Sequence, residues 1–273
     1  MKIYYQGEPG AYSNIASLEV AKNLWVSREA EIVWLETFES VWSKISQGHI
    51  GVLPIENSYA GPIHANLFSF SRFEASIIGT FNLEINHCLL SLEDDIKKVK
   101  TAISHPQALD QTYHYLKEHN ISRENFYDTA GAAKHISENN ISWYASISSQ
   151  LAAEIYGLNI LEKGIQDQSG NTTRFLVVCL TKDIKKYIYQ DKKNKVSLLF
   201  EAKNIPSSLY KCLGAFATNN VNLTKIENLP TFWKPFSVQF WWDVEGSLED
   251  ENIVSALEEL KHFTSEIRVL GEY

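Results

Sequence analysis

Through its first 180 residues the chain alternates short apolar runs with amphipathic helical stretches, and this alternation restricts the fold more than any other feature. Strand-like runs fall at Lys2–Tyr5, Ile32–Leu35, Gly51–Pro54, Ile77–Leu90 (in two pieces), Lys100–Ile103, Asn125–Tyr127, Ser142–Ala145 and Arg174–Leu180. Helical periodicity lies between them, at Ser13–Leu24, Ser40–Gln47, Ile63–Phe70, Pro106–Glu118, Ala130–Ser137 and Ser149–Tyr156. Such a pattern predicts an α/β fold with a largely parallel sheet. A lysine-rich stretch at Lys182–Lys195 interrupts it and reads as a solvated connector. Beyond that stretch the order becomes strand Val196–Ala202, helix Ser207–Asn219, strands Val221–Glu227 and Ser237–Val244, helix Leu248–His262 and strand Glu266–Leu270. This βαββαβ succession is the ferredoxin-like order.

Composition narrows the partners. A chain of 273 residues, 44% hydrophobic and 12% aromatic, can bury more than one core. Its formal net charge of −8 argues against nonspecific nucleic-acid binding or an anionic membrane surface. No apolar run approaches the ~20 residues of a membrane span, and Met1–Tyr5 runs straight into a strand-like segment without a signal-peptide core. Cys88, Cys179 and Cys212 are widely spaced among apolar residues, so they read as reduced packing residues and the cytoplasm is the expected compartment. The sequence holds no GxGxxG, GxxxxGK[ST] or GxSxG motif and no metal-ligand spacing, so neither a nucleotide cofactor nor a metal is expected.

The polar residues of the first part gather where strands give way to helices. The clusters are Gly7-Glu8-Pro9-Gly10-Ala11-Tyr12-Ser13, Glu56-Asn57-Ser58-Tyr59-Ala60-Gly61-Pro62, Ser104-His105-Pro106-Gln107, Asp128-Thr129-Ala130-Gly131 and Ser146-Ile147-Ser148-Ser149. In open α/β sheets such turns line the ligand crevice, where helix N-termini present free N–H groups. A single helix cap needs only one polar side chain, and Glu56-Asn57-Ser58 offers three in a row. Asn171-Thr172-Thr173-Arg174-Phe175 leads into the apolar run Leu176–Leu180. An arginine at the mouth of a buried strand requires an anionic partner or an exit to water. It suits either a structural ion pair or the bidentate grip of a carboxylate.

Taken in order, these clusters and the βαββαβ tail resemble the prephenate dehydratase family. The resemblance implies a cofactor-free lyase that converts prephenate to phenylpyruvate with loss of water and carbon dioxide, in phenylalanine biosynthesis. Arogenate dehydration, or a non-catalytic two-lobed sensor of amino acids or carboxylates, is the alternative. It also implies a catalytic part over residues 1–181, two-lobed like a type 2 periplasmic binding protein. Lobe one would take residues 1–77 and 158–181, and lobe two residues 78–157. A linker at 182–195 and an ACT regulatory domain at 196–273 would follow, with L-phenylalanine as effector and a homodimer or homotetramer as the assembly. Carried onto this sequence, the family's roles make Thr173 the residue that assists hydroxide departure. Arg174 would hold the pyruvyl carboxylate or order the cleft, with Glu56, Asn57 and Ser58 beside it in the catalytic set. Ser13, His105, Gln107, Asn171 and Thr172 become substrate hydrogen-bonding candidates, and Phe175 packs beneath the site.

The tail departs from the family pattern. Where the family has Gly-Ala-Leu and Glu-Ser-Arg-Pro, this chain has Ser207-Ser208-Leu209 and Glu227-Asn228-Leu229-Pro230, while Asn222-Leu223 keeps the frame. Serine adds bulk where glycine lets a ligand approach the backbone, and Leu229 lacks the five donors of an arginine. These residues form the expected effector site, and the changes imply a weakened response to phenylalanine or the sensing of another hydrophobic amino acid.

Overall fold

A computed structural model describes residues 1–25, 30–189, 194–231 and 238–273. Residues 190–193 of the expected connector and Ser237 of one expected strand lie outside the described residues. The chain begins β1(Lys2–Gln6), α1(Tyr12–Asn23), β2(Leu24–Trp25), β3(Glu31–Leu35), α2(Phe38–Ser46), β4(Ile50–Asn57), β5(Gly61–Pro62), α3(His64–Arg72) and β6(Ala75–Glu84). It continues with β7(Cys88–Ser91), β8(Thr101–Ser104), α4(Pro106–Gln111), α5(Tyr113–Glu118), β9(Ser122–Asn125), α6(Thr129–Glu138), β10(Tyr144–Ser148), α7(Gln150–Tyr156), β11(Asn159–Lys163) and β12(Thr172–Leu180). Then come β13(Ile188–Tyr189), β14(Lys195–Ala202), α8(Ser208–Thr218), β15(Leu223–Pro230), β16(Val238–Glu245), α9(Glu251–Lys261) and β17(Thr264–Glu272). Among the described residues no helix is long and apolar enough to cross a membrane.

The first sheet has the order β3-β1-β4-β12-β6, with β5 on β4, and the second β11-β7-β10-β8-β9. Both are mixed, not largely parallel. Strands β1, β3 and β4 pair in parallel, as do β8, β9 and β10, but β12 runs antiparallel to both β4 and β6. In the second sheet β7 runs antiparallel to β10 and β11. The reversal comes from the route of the chain: β6 carries it toward the second sheet and β12 brings it back. The crossings lie between Glu84 and Cys88 and between Lys163 and Thr172, since β6 belongs wholly to the first sheet and β11 to the second. The lobe limits expected at 77 and 158 are therefore displaced. A strand was not expected at β11, whose sequence is half polar and lies at a sheet edge.

Helices cover both faces of the first sheet. Trp42, Ile45, Leu67 and Phe70 of α2 and α3 pack on Leu53, Ile55, Leu176 and Val178. Ala16 and Val20 of α1 pack on Ile50, Val52, Val177 and Cys179 on the other side. Burial on both faces explains why these strands read as unbroken apolar runs. The three cysteines are buried and free. Helix Pro106–Glu118 was expected whole but breaks at Thr112. The Asp167 backbone N–H takes the Gln111 carbonyl (2.8 Å). The Asp167 carboxylate accepts from the backbone N–H groups of His114 (3.1 Å) and Tyr115 (3.3 Å), restarting the helix one residue on.

Residues from Lys195 onward build the third sheet, ordered β15-β16-β14-β17 and antiparallel throughout. One face carries α8 and α9 over Leu198, Phe200 and Trp242. The other presses Leu199, Leu229, Trp241, Leu270 and Tyr273 against Trp42 and Phe70 of the first lobe. Here Gly271 lies against the Ile77 carbonyl so closely that a Cβ would overlap it. Gly271→Ala should destabilise the chain by ~2–3 kcal/mol, as overpacking does. The shift should appear in the urea unfolding midpoint, and an unchanged midpoint would contradict the docking described.

Candidate active site

Two adjacent strands carry the site. In the antiparallel pairing of β4 with β12, Thr173 stands opposite Asn57 and Arg174 opposite Glu56. Successive side chains of a strand point to opposite faces, so the two pairs face different ways. Asn57 and Thr173 open into a cavity of about 170 Å³ between the lobes. Glu56 and Arg174 face the third sheet.

The cavity is lined by Tyr12, Ser13, Asn57, Thr173 and Phe175 from the first lobe, and by Ile85, His87, His105, Gln107, Gln111 and Thr129 from the crossing segment and second lobe. Helices α1, α4 and α6 begin at or beside these residues. His105 Nδ1 accepts from the Gln107 N–H (3.3 Å) at the start of α4, and Asp128 Oδ1 accepts from the Gly131 N–H (2.7 Å) at the start of α6. Their N-terminal dipoles give the cleft a positive bias without a lysine or arginine among the lining residues described. A larger chamber of about 950 Å³ opens outward from it and shares His105, Gln107 and Gln111.

Asn57 has one possible orientation. Its Oδ1 accepts from the backbone N–H groups of Tyr59 (3.1 Å) and Ala60 (3.0 Å), which can only donate. Its Nδ2 therefore donates to Asn171 Oδ1 (2.6 Å) and Thr173 Oγ1 (3.0 Å). With a lone pair so occupied, the Thr173 hydroxyl proton is free for a group in the cavity. Asn171 passes the bonding on to Gln111 (2.9 Å), and Gln111 meets the buried His87 (2.9 Å). Burial lowers the His87 pKa and outweighs the opposing effect of the hydrogen bond that the ring donates to Gln111, keeping the ring neutral at pH 7. On its other side His87 Nδ1 meets the Tyr12 hydroxyl (2.8 Å).

The remaining expected residues divide. Ser13, His105, Gln107, Asn57, Thr173 and Phe175 reach the cavity, and Asn171 stands behind it. Ser58 accepts from the Thr172 N–H (3.0 Å), and Thr172 Oγ donates to the Gly170 carbonyl (3.3 Å), so both tie strand ends at the rim. Glu56 and Arg174 do not reach the cavity. Arg174 pairs with Asp243 (2.6 Å) and Glu56 (3.2 Å), and Lys225 also pairs with Glu56. Ser197 and Trp241 both donate to the same Asp243 oxygen, at 2.5 Å and 2.8 Å. Burial opposes the Arg174 charge, but Tyr273, Asp243 and Glu56 favour it and prevail. Of the two roles open to Arg174 from sequence, the ion pair is realised, because strand alternation turns it away from Thr173. Gly10 serves packing: its φ of +91° and the approach of Ala152, whose Cα would lie 2.7 Å from a Cβ there, require glycine where α7 meets the first lobe.

Tyr12, His87, Gln111 and Thr129 were not among the expected site residues. Gln111 carried a signal, one helical turn beyond Gln107. In the third sheet, Glu201 and Leu229 both pair with Gln239, so the start of α8 and the end of β15 lie at one end of the sheet. Ser207 has φ +63°, Leu209 is exposed, Ser208 donates to the Phe263 carbonyl (3.4 Å), and Asn222 donates to Glu245 (2.8 Å). Glu227 lies 3.5 Å from Lys225, Leu223 is half-buried, Asn228 and Pro230 are exposed, and Leu229 is buried against the first lobe.

The sequence model of the prephenate dehydratase family matches residues 3–183. Arogenate dehydratase/prephenate dehydratase 6, chloroplastic, of Arabidopsis thaliana is 38% identical over 292 residues, spanning 100% of this chain and 68% of that protein. A prephenate dehydratase from Arthrobacter aurescens, solved in complex with L-Phe, superposes with a TM-score of 0.87 at 24% identity, over 100% of this chain and 89% of that one. A structure described as GqqA, a novel type of quorum quenching acylase, superposes with a TM-score of 0.83 at 30% identity, over 100% and 97%.

Removing one partner of a buried ion pair leaves the other charge uncompensated. Asp243→Ala should therefore lower stability by ~3–5 kcal/mol in chemical denaturation, and Asp243→Asn by less. A loss below about 1 kcal/mol for Asp243→Ala would show that Arg174 finds its balance elsewhere.

Proposed function

The chain belongs to the prephenate dehydratase family, and from that premise we propose that the cleft converts prephenate to phenylpyruvate, carbon dioxide and water, a step of phenylalanine biosynthesis. The bond from ring carbon C1 to its carboxylate breaks, and its electron pair moves through the ring to expel the C4 hydroxyl as hydroxide, which takes a proton from solvent to become water. Aromatisation drives the step, and no oxidant or reductant enters. Thr173 hydrogen-bonds the departing oxygen as negative charge develops there. The observation that carries this assignment is the Asn57 amide donating to Thr173 Oγ1, which leaves the threonine proton free for a group in the cavity.

Neutral donors suit this chemistry. A cation clamped on the departing carboxylate would stabilise the reactant more than the transition state. Ser13, His105 and Gln107, with the helix N-termini around them, supply the substrate contacts in this reading, and Phe175 forms an apolar floor. Ser58, Thr172 and Asn171 hold the strand ends, and Glu56 and Arg174 act from the opposite face as positioning residues.

The family model carries the choice of prephenate; Asp110 and Asp167 of the outer chamber are the carboxylates that would meet arogenate's ammonium. The names of the plant relatives make arogenate dehydration the second reading. Incubation with each substrate separates them, since prephenate gives phenylpyruvate, seen by its alkaline ultraviolet absorbance, and arogenate gives phenylalanine. Turnover of neither would refute both.

We read residues 1–181 as the catalytic part and 196–273 as an ACT domain, assembled as a homodimer or homotetramer. Three buried thiols suit a reducing compartment such as the cytoplasm. Phenylalanine is the effector we assign to the site of Ser207, Ser208, Leu209, Asn222, Leu223, Glu227, Asn228, Leu229 and Pro230, with a weakened response. Ser207 keeps the left-handed backbone that glycine adopts freely but adds a side chain at the start of α8. Leu229 offers no donor and is committed to the core.

Thr173→Val should lower kcat at least ~10²-fold, the scale of one lost preorganised donor, with an unchanged melting temperature. Near-normal kcat would remove Thr173 from the chemistry. Micromolar phenylalanine should leave the wild-type rate nearly unchanged, and Ser207→Gly should sharpen the response. Strong inhibition of the wild type in that range would overturn the weakened site.

A further inference from the structure

The hydrogen bonds behind the cleft have a direction that can be followed outward from two backbone groups. The Tyr59 and Ala60 N–H groups make Asn57 Oδ1 an acceptor. Asn57 Nδ2 then donates to Asn171 Oδ1, so Asn171 Nδ2 is the donor toward Gln111 Oε1. Gln111 Oε1 is also the atom facing His87 Nε2 at 2.9 Å, so that nitrogen must carry the hydrogen. One carbonyl oxygen of Gln111 thus accepts from two sides, and flipping the amide would oppose donor to donor at Asn171 and force the other tautomer on His87. Its Nε2, with two hydrogens, has no partner among the described residues, and Gln111 lines both the inner cavity and the outer chamber.

We infer that Gln111 binds a substrate carboxylate through its side-chain Nε2–H groups, aimed by His87 and Asn171. Both carboxylates of prephenate lie on the C1 side of the ring, opposite the C4 hydroxyl. Thr173 lines the inner cavity and not the outer chamber, whereas Gln111 lines both. A ring with its hydroxyl at Thr173 therefore extends its C1 groups toward Gln111. His87 is a positioning residue: it touches Gln111 and keeps the amide from turning. Its own orientation is held by the Tyr12 hydroxyl on Nδ1 and by the Gln166 side chain, which accepts from the His87 backbone N–H (3.0 Å).

This inference rests on the prephenate reading, and its test separates the two. Wild-type turnover of prephenate tests that reading directly. Calorimetric titration of prephenate into the Thr173→Val protein, with residual product measured and subtracted, then reports affinity. In that background Gln111→Glu, which keeps the acceptor but replaces the donor with an anionic oxygen, should weaken Kd at least tenfold, and Gln111→Met comparably. This is the scale of one hydrogen bond to a charged group, ~1.5–3 kcal/mol. In the otherwise wild-type enzyme both changes should raise KM by a similar factor, with kcat falling less than it does in Thr173→Val.

The histidine is tested by a pair of substitutions. His87→Gln places an amide near the position of Nε2 and should retain affinity within about threefold, whereas the shorter His87→Asn cannot reach Gln111 and should weaken it by more. Circular dichroism and melting temperatures accompany each variant, and Gln111→Met serves where Gln111→Glu fails to fold. Wild-type turnover with an unchanged Kd in the Gln111 variants overturns this inference alone. Absence of both turnover and prephenate binding overturns it together with the reading beneath it.

Discussion

The antiparallel register of β4 on β12 is the constraint on which the rest depends. It sets Asn57 opposite Thr173 and Glu56 opposite Arg174, and the two-residue repeat of a strand sends these pairs to opposite faces. One face becomes the floor of the cleft. The other becomes a buried cluster in which two cations, Arg174 and Lys225, meet the carboxylates of Glu56 and Asp243. Desolvated charges are tolerable only when paired and hydrogen-bonded. Two of these four groups come from the third sheet, so the C-terminal part completes the electrostatics beneath the catalytic strands. A displacement of that sheet would act first on the residues adjacent to Thr173 and Asn57.

Cleft polarity follows from the same strands. Two backbone N–H groups just beyond β4 orient Asn57, and each later amide takes its direction from the one before. No ionisation is needed along the way, and the neutral His87 fits it because burial disfavours its charged form. A network in which each member's direction is set by its neighbour is stiff, since turning one member disturbs the next. In the proposed reaction, that stiffness would hold the Thr173 hydroxyl ready for the departing oxygen without reorganisation.

Much of this could be read from the residues alone. Glu56-Asn57-Ser58 and Asn171-Thr172-Thr173-Arg174-Phe175 stood out because polar runs at the ends of apolar strands exceed what a helix cap requires, and the βαββαβ order of the tail followed from its apolar runs. Arg174 was recognised as needing an anion, but its partner Asp243 lies 69 positions away and only the packing of the third sheet brings it near. Strand direction was not legible, because β6 and β12 look the same as parallel strands when buried on both faces. The helix break at Thr112 depends on Asp167 arriving from a distant loop. His87 gave no signal, since a lone histidine between two strands acquires meaning only from Tyr12 and Gln111 beside it.

The turning away of Arg174 also resolves a difficulty in the chemistry. A guanidinium in the cleft would hold a substrate carboxylate strongly, and a carboxylate about to leave as carbon dioxide loses its charge in the transition state. Contacts that weaken as the charge departs raise the barrier. Amides, hydroxyls and helix N-termini bind a dianion less tightly and from several sides, so the departing group can lose its contacts while the other carboxylate keeps its own. The sequence places the strong cation one residue from Thr173, and strand geometry keeps it beneath the floor, where it strengthens the scaffold without stabilising the reactant.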